Sequence, residues 1–107
     1  MKGYVLTGSA KRDLDEIWFD IAERSGRIET AERTLWLLYR KILSLAKFSA
    51  AGRHCDDIDE GGRCAPVGNY IVYYRPSSSG IAITHIFHGA RDQKKAWRES
   101  PVKSQRK

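Results

Sequence analysis

With 107 residues and a mass of 12.2 kDa, the chain has room for one domain and one modest core. Its 41 % hydrophobic and 10 % aromatic content is that of a soluble globular protein, and apolar runs of only a few residues exclude a membrane-spanning helix. The net charge of +6 gathers at the end: from Arg91 onward, seven basic residues (Arg91, Lys94, Lys95, Arg98, Lys103, Arg106, Lys107) stand against two acidic ones, a net of +5.

Such a segment suits nucleic acid or an acidic protein surface, or it is a solvated tail. The opening Met1-Lys2-Gly3-Tyr4-Val5-Leu6-Thr7 meets a polar residue too soon for a signal peptide, which favours the cytoplasm. Cys55 and Cys64 fit that reducing setting. A disulfide across the short loop between them is geometrically possible, but two ordinary thiols are expected. With no C-x-x-C pair and no spaced pair of histidines, no metal site is expected, and no motif requires a cofactor.

Tyr4-Val5-Leu6 is short and β-prone, a first strand. Ser9 stands where a helix N-cap belongs. Beyond it Leu14, Ile17, Trp18 and Ile21 recur at three- and four-residue spacing, one face of a helix that Ser25-Gly26 closes. A second helix is expected over about residues 29–48, with Ala31, Leu35, Leu38, Ile42 and Leu45 forming a seam against the first helix in an antiparallel hairpin. Trp36, Leu37 and Tyr39 fall off that seam and widen the apolar surface.

Residues 52–62, polar and Gly-rich, read as an exposed loop. Its acidic cluster (Asp56, Asp57, Asp59, Glu60) matches no calcium-loop spacing. A β-meander follows: a strand over 63–67, a turn at Gly68-Asn69, a strand over 70–75, a turn over 76–80 and a strand over 81–88. Asp92 is placed to cap a short helix through Trp97 and Glu99, ended by Pro101. The fold class is therefore α+β: a short N-terminal strand, an antiparallel helical hairpin, a three-stranded antiparallel meander and a short C-terminal helix. It forms a single domain over 1–100 with a basic tail at 101–107.

Strict alternation puts Ile81, Ile83, His85 and Phe87 on one face of the last strand, and Ala82 and Ile86 on the other. The strand over 70–75 is apolar or aromatic on both faces. The helical hairpin covers one of them, so a protein partner is the natural cover for part of the second.

The element order and several stretches resemble the ParE branch of the RelE/ParE toxin superfamily. These are Leu6-Thr7-Gly8-Ser9-Ala10-Lys11-Arg12-Asp13-Leu14-Asp15-Glu16-Ile17-Trp18, Ala31-Glu32-Arg33, the run from Gly62 through Pro66-Val67-Gly68-Asn69-Tyr70 to Tyr74-Arg75, and Ile86-Phe87-His88-Gly89-Ala90-Arg91-Asp92. The likeness spans about residues 3–98. It implies a toxin held silent by a cognate ParD-like antitoxin in a hetero-oligomer, with DNA gyrase as target.

RelE-like relatives instead cleave mRNA on the ribosome, which needs a base, an acid and cations for the developing charge. Arg63, Arg75 and His88, with His85 and Arg91 nearby, are the candidates for that alternative. Against it, Tyr70 stands where many ribonuclease relatives carry Arg, and Gly89 follows His88 where some carry Tyr. Gyrase poisoning needs surfaces rather than a catalytic set. On charge and apolar surface, target contacts are expected at His88, Arg91, Lys94, Lys95, Trp97 and Arg98, with Trp97 alternatively anchoring the final helix on the sheet, and antitoxin contacts at Trp36, Tyr39, Tyr70 and Tyr73. His85 reads as a structural histidine, His88 as bonded to Asp92 at the strand end, and Arg91 as paired with Asp92. A basic nucleic-acid-binding module is the rival of another class, although no helix-turn-helix, zinc-finger or RNA-recognition signature accompanies it.

Overall fold

A computed structural model describes residues 3–99. In chain order these form β1 (Gly3–Leu6), α1 (Gly8–Ser25), α2 (Ile28–Lys47), β2 (Arg53–His54), β3 (Arg63–Val67), β4 (Tyr70–Ser77), β5 (Gly80–His88) and α3 (Gln93–Arg98). The expected α+β order holds. The meander, however, is the centre of a five-stranded sheet ordered β1-β5-β4-β3-β2, in which β1 joins β5 in parallel and every other pair is antiparallel. The expected end of α3 at Pro101 and the tail at 101–107 lie outside the described residues.

The cap of α1 lies two residues before the expected one. Thr7, extended at φ −68° and ψ 165°, accepts from the Ala10 N–H through Oγ1, while Ser9 is buried inside the first turn. Both residue types cap well. The choice falls to Thr7 because the chain leaves β1 there, and its hydroxyl also donates to the Thr84 carbonyl, tying the helix start to β5. Gly26 ends α1 in the left-handed region (φ 69°), its N–H bonding back to the Ala22 carbonyl at 2.8 Å. Only Gly26 and Arg27 separate the helices, which pack against each other. Leu38, Ile42 and Leu45 of the α2 seam enter the main core beside Ile17, Val72, Tyr74 and Ile83.

β4 and β5 run further toward their shared turn than the alternation suggests. The turn shrinks to Ser78-Ser79, and Pro76 pairs with Ile81 inside the ladder. Pro76 lies past the last β3–β4 rung (Arg63 with Tyr74), where β4 has only one neighbour and a missing N–H is tolerated. One rung on, at the turn, Gly80 also pairs with Gly3 of β1 and has φ 142°. A Cβ there would clash with the Gly3 carbonyl oxygen. Gly80→Ala is therefore expected to cost about 2–3 kcal/mol in urea unfolding, through backbone strain and loss of the β1–β5 register.

A bulge at Thr84 overturns the expected face assignment of β5. Tyr73 pairs with His85 but Tyr74 pairs with Ile83, leaving Thr84 unmatched. The extra residue reverses the alternation. Ile81, Ile83 and Ile86 all face the helical hairpin, whereas His85 and Phe87 face the other side. That second face is also not left for a partner to complete. The chain covers it with α3 and the segment after β2, forming a second core of Cys55, Cys64, Tyr73, Phe87, Ala96 and Trp97, with Ile58 and Ile71 at its margin.

Candidate functional site

The C-terminal end of β5 is assembled by local hydrogen bonds that the residue types make possible. His88 Nδ1 accepts from the Ala90 N–H at 3.1 Å, and its carbonyl accepts from the Arg91 N–H and from Gln93 Nε2. Its ring meets Tyr70 edge-on, 5.2 Å between centroids. The expected His88–Asp92 bond does not form, because Asp92 Oδ1 caps α3 by accepting from the Lys95 N–H. Nor does Arg91 pair with Asp92; its guanidinium lies 5.0 Å over the Phe87 ring. The result is a half-open groove of about 370 Å³ between α1 and the strand end, walled by Glu16, Asp20 and Arg24 on one side and Tyr70, His88 and Arg91 on the other.

Asp13 anchors this end of the sheet to α1. Its Oδ2 accepts from His85 Nδ1 at 2.7 Å and from the Ile86 N–H at 3.0 Å. His85 is buried, stacked on Phe87 (4.5 Å) and edge-on to Trp97 (4.8 Å). This is the geometry of a structural histidine, since its ring is enclosed by side chains of the same domain. Nothing in the sequence neighbourhood of Asp13 signals a partner 72 residues away. Asp13→Ala leaves the Ile86 N–H and the histidine without their acceptor. A loss of about 2–4 kcal/mol is expected by chemical denaturation.

Three of the candidate residues for phosphodiester cleavage are not brought together. Arg63 Nη1 donates to the carbonyls of Ala50 and Gly52, and its other terminal nitrogen lies 3.2 Å from His54 Nε2. Arg75 donates to the buried Asp59 carboxylate and to the Glu60 carbonyl, both at 2.6 Å. Both arginines thus brace the segment between α2 and β3. His88 sits on the Tyr70 rung, four residues along β4 from the Tyr74 rung that carries Arg63, a separation of roughly 13 Å.

Of the other target candidates, Arg91, Lys94, Lys95 and Arg98 are exposed, so α3 presents cations to solvent. Trp97 does not join them. It is 5 % exposed, packed against Tyr73, His85 and Phe87, and its Nε1 has no hydrogen-bond partner. Tyr73, expected at an antitoxin contact, is likewise 1 % exposed, with its hydroxyl donating to Gln93 Oε1 at 2.7 Å. Burial pushes its phenol well above the ordinary range. Tyr70 remains half-buried at the groove.

On α2, Trp36 and Tyr39 are 56 % and 41 % exposed, with ring centroids 5.9 Å apart, and Tyr39 meets Tyr4 of β1 edge-on at 6.2 Å. Beneath them is an apolar cleft of about 180 Å³ lined by Tyr4, Leu6, Leu14, Leu35, Tyr39 and Ile42. Leu43, one turn beyond Tyr39 on α2, extends this exposed apolar surface. The contribution of β1 was missed, because three apolar residues in a row do not reveal which face they supply. Among the described residues no helix is long and apolar enough to cross a membrane, and no cluster of three or more His, Cys, Asp or Glu could hold a metal ion.

Comparison with known proteins gives this geometry a family. The family described as the ParE toxin of the type II toxin–antitoxin system, parDE, matches residues 4–93. The chain belongs to the ParE toxin family. It is 31 % identical over 88 residues to Toxin ParE1 of Caulobacter vibrioides, covering 82 % of this chain and 90 % of that protein. Its fold is similar to a chain of the chromosomal ParDE toxin–antitoxin system from P. aeruginosa, with a TM-score of 0.71 and 20 % identity over 82 % of this chain and 96 % of the other. The family match ends at Gln93, so the exposed Lys94, Lys95 and Arg98 of this ParE-family chain lie beyond the matched segment.

Proposed function

We propose that this ParE toxin acts in the cytoplasm by binding and stalling DNA gyrase, and that a cognate ParD-like antitoxin silences it within a toxin–antitoxin hetero-oligomer. The observation that carries the reading is the family match over residues 4–93. The geometry supports a binding rather than a bond-cleaving mode of action. The arginines a ribonuclease would use as phosphate clamps are committed to carbonyls and to Asp59, and His88 stands apart from them. Two surfaces remain for two partners. The exposed aromatic patch of Trp36 and Tyr39, with its cleft, suits the apolar face of an antitoxin helix. The cations of α3, with Arg91 and His88 at the strand end, suit an anionic surface such as gyrase-bound DNA.

Plasmid supercoiling by purified gyrase tests the reading. Wild-type toxin should inhibit it, and Lys94→Glu/Lys95→Glu/Arg98→Glu should need at least about tenfold more protein for the same inhibition. These exposed substitutions leave Trp97 seated, so they probe the surface without removing α3. Full inhibition by the folded triple variant would place the target contact elsewhere; no inhibition by the wild type would reject gyrase.

A further inference from the structure

The chain's two cysteines are nine positions apart in sequence and come together in the second core. The register explains why. Arg53 pairs with Cys64 and His54 with Arg63, and the Cys55 N–H extends that ladder by donating to the Gly62 carbonyl at 3.1 Å. Cys55 and Cys64 therefore lie on one face, 0 % and 2 % exposed, in the same packed cluster. Both are free thiols. A thiol is a weak donor and a weak acceptor, so their proximity contributes little to stability as it stands.

We propose that Cys55 and Cys64 are a reversible modification site, closed to a disulfide by a small-molecule disulfide and reopened by excess thiol. One cysteine thiolate attacks a sulfur of the small disulfide, whose S–S bond breaks and whose other half leaves as a thiol. The second cysteine thiolate then attacks the protein sulfur of that mixed disulfide and expels the remaining half as a second thiol. The protein loses two hydrogens and two electrons, and the small disulfide is reduced to two thiols.

In the closed fold the site is protected. Burial, reinforced by the adjacent Cys64 sulfur, pushes the Cys55 thiol up to about 12. Reaction therefore follows local opening. The element that must open is β2, only two residues long at the edge of the sheet, where opening is cheap. The same edge position lets the hairpin shift as the sulfurs close to bonding distance. Once formed, the bridge fastens β2 to β3 and shuts the ring containing Asp59, whose carboxylate holds Arg75, and Ile58, which packs on the second core. Oxidation thus secures the segment braced by both arginines.

The test uses the full chain. Protein equilibrated with oxidised glutathione in mild urea, then returned to native buffer, should lose about 2 Da and yield a peptide joining Cys55 to Cys64. Its Tm should rise by about 5–15 °C, reversibly with dithiothreitol. Cys55→Ser and Cys64→Ser chains should each stop at a single glutathione adduct with no such rise. The proposal is overturned if the wild type stays a dithiol, ends with two glutathione adducts, or loses stability when bridged.

Discussion

Trp97→Ala should lower the stability of the toxin by about 3–5 kcal/mol, the cost of emptying an aromatic site in a packed core. The side chain is 5 % exposed and makes edge-on contacts with Tyr73, His85 and Phe87, so it is the principal tie between α3 and the sheet. Six residues cannot sustain a helix alone. The substitution should therefore release α3, expose the Tyr73–Phe87 face and weaken gyrase inhibition, because Lys94, Lys95 and Arg98 lose their platform. Trp97→Phe separates packing from polarity. It retains most of the aromatic contact and removes an Nε1–H that has no partner, so it should cost no more than about 1.5 kcal/mol. Urea unfolding of both variants checks the pair; equal losses would mean that the indole is held by something other than packing.

Trp36→Glu together with Tyr39→Glu should weaken binding of the cognate antitoxin by at least about 100-fold, read by calorimetric titration, while leaving gyrase inhibition in place. Both rings are substantially exposed; Tyr39 lines the apolar cleft and Trp36 packs beside it. Charging them puts two carboxylates where an apolar helix face would be buried, and neither charge finds a partner there. The cost to the fold should be small, on the order of 1 kcal/mol, chiefly the lost Tyr4–Tyr39 contact. Unchanged antitoxin affinity would move the antitoxin site to another surface.

The helical hairpin was legible because its signals are periodic and local. Ala31, Leu38, Ile42 and Leu45 define the buried seam of α2, and Gly26 supplies the left-handed end of α1. The sheet was legible in order but not in facing. One unmatched residue, Thr84, turns His85 and Phe87 away from Ile83, and no strand pattern encodes which position will bulge. Alternating apolar residues on both faces of β4 did signal that both faces are covered. They could not say that α3 and the segment after β2 do the covering, because that contact depends on long-range packing of Trp97, Cys55 and Ile58. A two-residue strand such as β2 has no periodicity to read.

The candidate site divides in the same way. The exposure of Trp36 and Tyr39 followed from their places off the α2 seam, and the cations of α3 from plain charge counting. An aromatic residue carries no local mark that separates a core anchor from a contact residue, so Tyr73 was misplaced and Trp97 admitted both readings until its burial made it an anchor. The bracing roles of Arg63 and Arg75 depend on carbonyls and a carboxylate that only the folded segment 50–62 brings within reach.

The most direct measurement is the DNA product formed when purified gyrase acts on plasmid with this toxin, alongside a ribosome-dependent mRNA cleavage assay on the same preparation. A gyrase poison should give plasmid left cut after detergent and protease treatment, in proportion to toxin, with mRNA intact. Intact plasmid together with cut mRNA would contradict that account and return Arg63, Arg75 and His88 to consideration as an active site assembled only on the ribosome.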